Sequence, residues 1–214
     1  MSETSRELFD AIERHDTDAV ALLLARGIDP NAMPAGIDYP PLHAAIFELD
    51  FGGSINTLDL LIRAGADVNR MDRRTDGASP VLAAVLDGQA EAAHRLLVAG
   101  ADPNTSGRLG DSPLRVSSER DDLATADLLL RHGADSTIDV SGGPSGMHAL
   151  GHAVSNLSAR MVELLLQAGA DPTAVDLDGQ TARQYLPSRT QENAHAWDAV
   201  TALLSRPAKG RVPS

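Results

Sequence analysis

Apolar residues in this chain gather in short clusters of two alternating kinds. One kind is an aliphatic triplet with a glycine two or three residues beyond it: Leu22-Leu23-Leu24 before Gly27, Leu60-Leu61-Ile62 before Gly65, Leu96-Leu97-Val98 before Gly100, Leu128-Leu129-Leu130 before Gly133, and Leu164-Leu165-Leu166 before Gly169. Successive glycines lie 38, 35, 33 and 36 residues apart. The second kind is richer in small residues: YPPLHAAI (39–46), ASPVLAAV (78–85), DSPLRVSS (111–118), HALGHAVS (148–155) and QTARQYL (180–186). Pro80 to Gly100, Pro113 to Gly133 and Ala149 to Gly169 each span 20 residues. An interval so constant marks a repeated structural unit.

Each unit can be built from local chemistry. Ser79-Pro80 and Ser112-Pro113 place a hydroxyl cap before a proline at the first helical position, where the missing N–H costs nothing. A short helix follows, and Ala44, Ala45, Ala83 and Ala84 let a neighbour approach closely. A polar turn (Asp87-Gly88-Gln89; Asp121-Asp122) ends it, and the triplet is expected on the buried face of a second helix. Glycine supplies the left-handed residue that stops this helix, and aspartate starts the loop to the next unit. A helix pair of this size cannot bury enough surface alone, so the pairs must stack.

The motifs Pro41-Leu42-His43-x-Ala45 and Gly-Ala-Asp-x-Asn at 65–69 and 100–104, with weaker copies elsewhere, resemble those of ankyrin-repeat proteins across 5–207. The resemblance implies an all-α repeat solenoid of about six helix–turn–helix–loop units: 5–37, 38–75, 76–109, 110–143, 144–177 and 178–207. The first unit, with a polar helix around Arg6, Glu7, Asp10 and Glu13, and the irregular last unit are expected to be caps. Residues 208–214 are expected to be a disordered tail. The family's motif histidine survives only as His43, replaced by Leu82, Arg115, Gly151 and Gln184, and His148 and Pro40 stand where a capping hydroxyl belongs. Repeats 4 and 5 are therefore expected to be the weakest joints.

Composition narrows the function. Aromatics are only 3% of the 214 residues, so alanine and leucine must fill the core. No stretch approaches about 18 unbroken apolar residues, which leads to the expectation of no membrane span. The opening MSETSRELFDAIERHDTD has no apolar secretory core, and a soluble cytoplasmic monomer is expected. Cysteine is absent. The net charge of −12, with 17 arginines and one lysine as the cations, repels nucleic acid and favours a partner with a basic surface.

No residue set assembles chemistry. His148 and His152 are four apart, but HALGH lacks a glutamate after the first histidine and a third ligand, so no metal and no cofactor are expected. GGPSGMH (142–148) has the wrong glycine spacing for a nucleophile elbow, and GGS (52–54) lacks the lysine of a phosphate loop. The chain is expected not to be an enzyme.

In proteins of this family the loop tips and the exposed side of the first helices grip other proteins. Counted from the proline element, the corresponding positions are Met33, Ile37, Tyr39, Phe47 and Glu48, then Met71, Arg73, Arg74, Asp76, Leu86 and Asp87, and lastly Arg108, Leu109, Asp111, Glu119 and Arg120. Met33, Ile37, Tyr39, Phe47, Met71 and Leu86 are expected to form one continuous strip, with Tyr39 and Phe47 as anchors and Arg73, Arg74, Asp76 and Arg120 as orienting charges. The alternative is that Tyr39 and Phe47 pack inward to cover the connection LDFGGSIN (49–56), four residues longer than its counterparts. The resulting expectation is a non-catalytic interaction module: a small acidic cytosolic regulator, inhibitor or immunity-type protein. The alternatives are a secreted effector that binds a host protein, or an enzyme of unrecognised type.

Overall fold

A computed structural model of the chain describes residues 2–73 and 77–206. Eleven α-helices appear among them: α1 Ser2–Glu13, α2 Thr17–Ala25, α3 Pro41–Glu48, α4 Ile55–Arg63, α5 Pro80–Leu86, α6 Ala90–Val98, α7 Pro113–Glu119, α8 Leu123–Arg131, α9 Ala149–Ser155, α10 Ala159–Gln167 and α11 Ala194–Leu204. Two 3₁₀ turns, Leu49–Phe51 and Ala182–Tyr185, complete the order. The described residues contain no strand, only an isolated bridge between Val175 and Thr181. This is an all-helical repeat solenoid. It divides into two compact units, Met1–Arg108 and Leu109–Ser214. The expected tail at 208–214 lies outside the described residues.

In the first unit, α1 packs on α2 and α3, α3 on α4 and α5, and α5 on α6, while α2, α4 and α6 form the second layer. The second unit repeats this with α7, α9 and the second 3₁₀ turn in one layer and α8, α10 and α11 in the other. First helices carry the core: Leu42, Ala45, Ile46, Val81, Leu82, Ala84, Leu114, Leu150 and Ala153 are all buried. The opening helix is less polar than expected on one face, where Leu8, Phe9, Ala11 and Ile12 are buried.

The aliphatic triplets are only partly in the core, which corrects the expectation that all three residues are buried. The residue four before each glycine is buried every time: Leu23, Leu61, Leu96, Leu129 and Leu165. Its neighbour Leu22 is 61% exposed and Val98 68%. Consecutive helix positions are about 100° apart, so three in a row cannot share one contact line. The same buried residue accepts the closing hydrogen bond of the helix, as in Ala66 N–H to Leu61 O (3.0 Å) and Ala170 N–H to Leu165 O (3.0 Å). The intervening glycines stand at φ +85° to +100°, the left-handed conformation this 6→1 closure needs.

Loops between helix pairs are stapled to their neighbours. Asn31 donates through Nδ2 to Gly65 O (2.9 Å) and accepts from Asp67 N–H (2.8 Å). Asn69 does the same toward Gly100 O (3.4 Å) and Asp102 N–H (2.8 Å). In the second unit Asp139 accepts from Asp171 N–H (2.9 Å). Each aspartate in turn folds its own loop, for example Asp67 accepting from Asn69 N–H (2.9 Å).

The last repeat swaps its first helix for the 3₁₀ turn, opened by a Thr181–Gln184 capping box. Asp176, buried, anchors it by accepting from Asp178 N–H, Gln180 N–H (both 3.0 Å) and Tyr185 Oη (2.5 Å). Burial pushes the Asp176 carboxyl up, but these three donors outweigh it and hold it below the usual carboxylate range. The same bond, with burial, pushes Tyr185 up to about 12.

Two outcomes follow for this frame. Asn31→Ala should cost about 1–2 kcal/mol in urea unfolding with an unchanged m-value, because two inter-repeat bonds go at once. Tyr185 binds its proton more tightly folded than unfolded, so its contribution is complete below pH 10 and is lost as pH rises toward about 12. Absorbance titration should therefore show one phenolate forming near pH 12, and Tyr185→Phe should abolish that step.

Candidate partner-binding surface

The structure sorts the candidate residues by the end of the helix they occupy. Met33, Ile37, Tyr39, Met71 and Arg73 precede α3 and α5, whereas Phe47, Glu48, Leu86 and Asp87 close them. Helix α3 is eight residues long, about 12 Å, so these are two patches, which corrects the expectation of one continuous strip. Arg74 and Asp76 lie outside the described residues.

At the finger end, Met71 is 41% exposed and Arg73 is exposed, with its backbone N–H on Asp38 O (3.3 Å). Met33 and Ile37 are half-buried, Met33 lying 3.9 Å from Arg70 Nη2. Tyr39 is no free anchor. Its ring meets buried Phe9 edge-on, centroids 5.6 Å apart at 80°, so it seals α1 against the second repeat. In the second unit the fingers expose Val140, Val175 and Leu177.

At the turn end Phe47 is 47% exposed and does not pack inward; its ring lies 5.1 Å from that of Phe51, itself 63% exposed. Sequence reasoning passed over Phe51, although the i, i+4 spacing from Phe47 was there to see. Leu86 and Asp87 are exposed on the next turn. Glu48 is not a free charge, because its Oε2 sits 2.8 Å from His15 Nε2. Arg108, Leu109 and Arg120 are exposed, Leu109 at 55%.

Asp111 and Glu119 depart furthest from their expected role. Arg115, at the position of the motif histidine, is 1% exposed, and a buried guanidinium requires compensation. Asp111 bonds its Nη2, and Glu119 Oε2 lies 3.2 Å from Nη1. Nη1 also donates to His152 Nε2 (2.8 Å), and Ser145 Oγ is 3.0 Å from that nitrogen. These carboxylates neutralise an internal cation, and their i±4 spacing around Arg115 was the signal in the sequence. Gly143 is crowded here; a Cβ on it would sit 2.6 Å from Arg115 Nη2.

The Ser145–His152 pair resembles a nucleophile and base only in composition. A neutral Nε2 has one lone pair, and Arg115 already donates to it. His148, standing where a capping hydroxyl belongs, caps α9 itself, accepting from Gly151 N–H at Nδ1 (2.9 Å) and donating from Nε2 to Ala174 O (3.3 Å). No group of three metal-ligating side chains occurs among the described residues. Gly151 is a neighbour of the Tyr185 ring, 3.4 Å from where its Cβ would be.

Burial pushes the His152 imidazole below its ordinary 6.5; Glu119 opposes this, and Arg115 and His148 add to it. Unfolded His152 therefore takes up a proton that the folded state refuses. Its contribution to stability is complete above about pH 6.5 and falls as pH drops below that value. His152→Gln, which keeps an acceptor for Arg115, should flatten the decline in urea midpoint between about pH 7 and about pH 5 relative to wild type.

Comparison with known proteins agrees with this architecture. Sequence profiles described as ankyrin repeats match residues 8–62 (many copies) and 73–176 (three copies). Protein PhlB of Serratia liquefaciens is 41% identical over 110 residues, 51% of this chain and 45% of that protein. An ankyrin repeat-containing protein of Treponema pallidum is 31% identical over 152 residues, 69% of this chain and 48% of its own length. The chain thus spans about half the length of these two relatives. Among solved structures, an ankyrin repeat domain from Acinetobacter baumannii AYE superposes with a TM-score of 0.76 at 27% identity, covering 92% of this chain and 95% of that one. The ankyrin repeat protein EF0377 superposes with a TM-score of 0.74 at 26% identity, covering 94% and 96%. With its stapled loops, left-handed glycine closures and stacked helix pairs, the chain belongs to the ankyrin-repeat family.

Proposed function

We propose that this protein is a non-catalytic binding module, a small acidic cytosolic regulator of the inhibitor or immunity type. Ankyrin repeats are a protein–protein interaction fold, and the observation that carries the reading is where apolar surface remains exposed. Met71 and Leu109 on the fingers before α5 and α7, and Val175 and Leu177 on the last finger, are exposed. In the first unit exposed Met71 stands two positions from exposed Arg73, an apolar anchor with a charged rim. The partner carries a basic surface, since a charge of −12 accelerates encounter with cations and repels nucleic acid.

Affinity capture from the source cells, wild type against Met71→Asp with Leu109→Asp and against Leu177→Asp, tests this. Wild type should retain one protein whose recovery falls as salt rises, and the finger variants should lose it while keeping the wild-type helical spectrum. Retention of the same protein by every finger variant would remove the reading.

A further inference from the structure

The connection between α3 and α4 runs six residues, Leu49–Ser54, where α1–α2, α5–α6, α7–α8 and α9–α10 each join through three. It is three residues longer than its counterparts, and the fourth extra residue lengthens α3 itself, which has eight residues where α5, α7 and α9 have seven. The extra residues are firmly built. Gly52 ends the 3₁₀ turn at φ +99°, Gly53 N–H donates to Glu48 O (2.8 Å), and Ser54 caps α4 by accepting from Asn56 N–H (3.2 Å). Gly53 has no room for a side chain, since a Cβ would lie 2.7 Å from Glu48 O. The product of this construction is to place Phe51 beside Phe47 with both rings open to water. A connection that served only to close the turn would need neither the length nor the rings.

The surroundings state what chemistry fits. His15 Nε2 to Glu48 Oε2 (2.8 Å) and the Gln89 Nε2 bond to Asp50 hold the three turns of the first unit side by side. Residues 13–18, 48–54 and 86–91, which make up this edge, contain seven carboxylates and one arginine, Arg14. The first unit as a whole, residues 1–108, carries 17 acidic and 9 basic residues, the more negative half of the chain. Aromatic faces within a field of carboxylates attract a guanidinium, which stacks on the ring while the carboxylates compensate its charge.

We propose that the Phe47–Phe51 pair is a second docking site, on the turn edge of the first unit, for an arginine-bearing peptide segment of a partner protein. This deepens the binding-module reading and rests on it, adding a site at the end of the helices opposite to the fingers. Asp50 lies between the two rings in sequence, and Asp87 supplies charge from the next turn.

The test uses the full chain and a fluorescently labelled peptide of alternating arginine and alanine, followed by anisotropy. Wild type should bind it, less tightly as salt rises. Phe47→Ala with Phe51→Ala should weaken binding about tenfold, the sum expected for two cation–π contacts. The same peptide with glutamate for arginine should not bind. Met71→Asp and Leu177→Asp should bind the arginine peptide as wild type does, which separates this site from the fingers. Equal affinity in wild type and the double phenylalanine variant would overturn the proposal in favour of charge attraction alone, as would absence of binding or equal binding of the glutamate peptide. If the double variant unfolds, Phe51→Ala alone, at a residue 63% exposed on a 3₁₀ turn, provides the same comparison. Loss of the native partner from finger variants together with unaltered peptide binding in the double variant would leave the function standing and remove this site.

Discussion

Everything in this fold depends on burying each first helix between its neighbours. Helices of seven or eight residues, such as α5 and α3, are too short to persist alone in water. They persist here because small side chains let them approach: Ala44 and Ala45 on α3, Ala84 on α5 and Ala153 on α9 are buried almost completely. Aromatic bulk is used only where the array needs a seal. Phe9 with Tyr39 closes the first repeat against the second, and Trp197 donates from Nε1 to Pro187 O (3.0 Å) where the last repeat loses its regular first helix.

Stacking alone would leave the loops without a register, and the polar side chains supply it. Asn31 and Asn69 each bond backbone groups of the following repeat, and Asp139 does so with one bond in the second unit. The family's histidine-based tie is retained only at His43, whose Nε2 donates to Ala78 O (3.1 Å). Elsewhere the position is refilled by different chemistry: a buried leucine at Leu82, a caged guanidinium at Arg115, the Tyr185 ring beside Gly151, and a capping amide at Gln184. In the second unit Ser118 adds a bond from its hydroxyl to Ala149 O (2.7 Å). Arg115 changes what the surface offers, because it draws Asp111 and Glu119 into an internal charge network.

The sequence by itself determined the stacked helix pairs, because the interactions that set them are local. A serine cap, a proline at the first helical position, a left-handed glycine and the buried residue four before it all act within about one turn of helix. The tertiary structure alone decided which side chains face water. Tyr39 turned toward Phe9, 30 positions earlier in the chain, and Glu48 found His15, 33 positions earlier. Arg115 reached His152, 37 positions on. Those pairings come from stacking one repeat on the next, and a pattern read along the chain carries no term for a neighbour one repeat away.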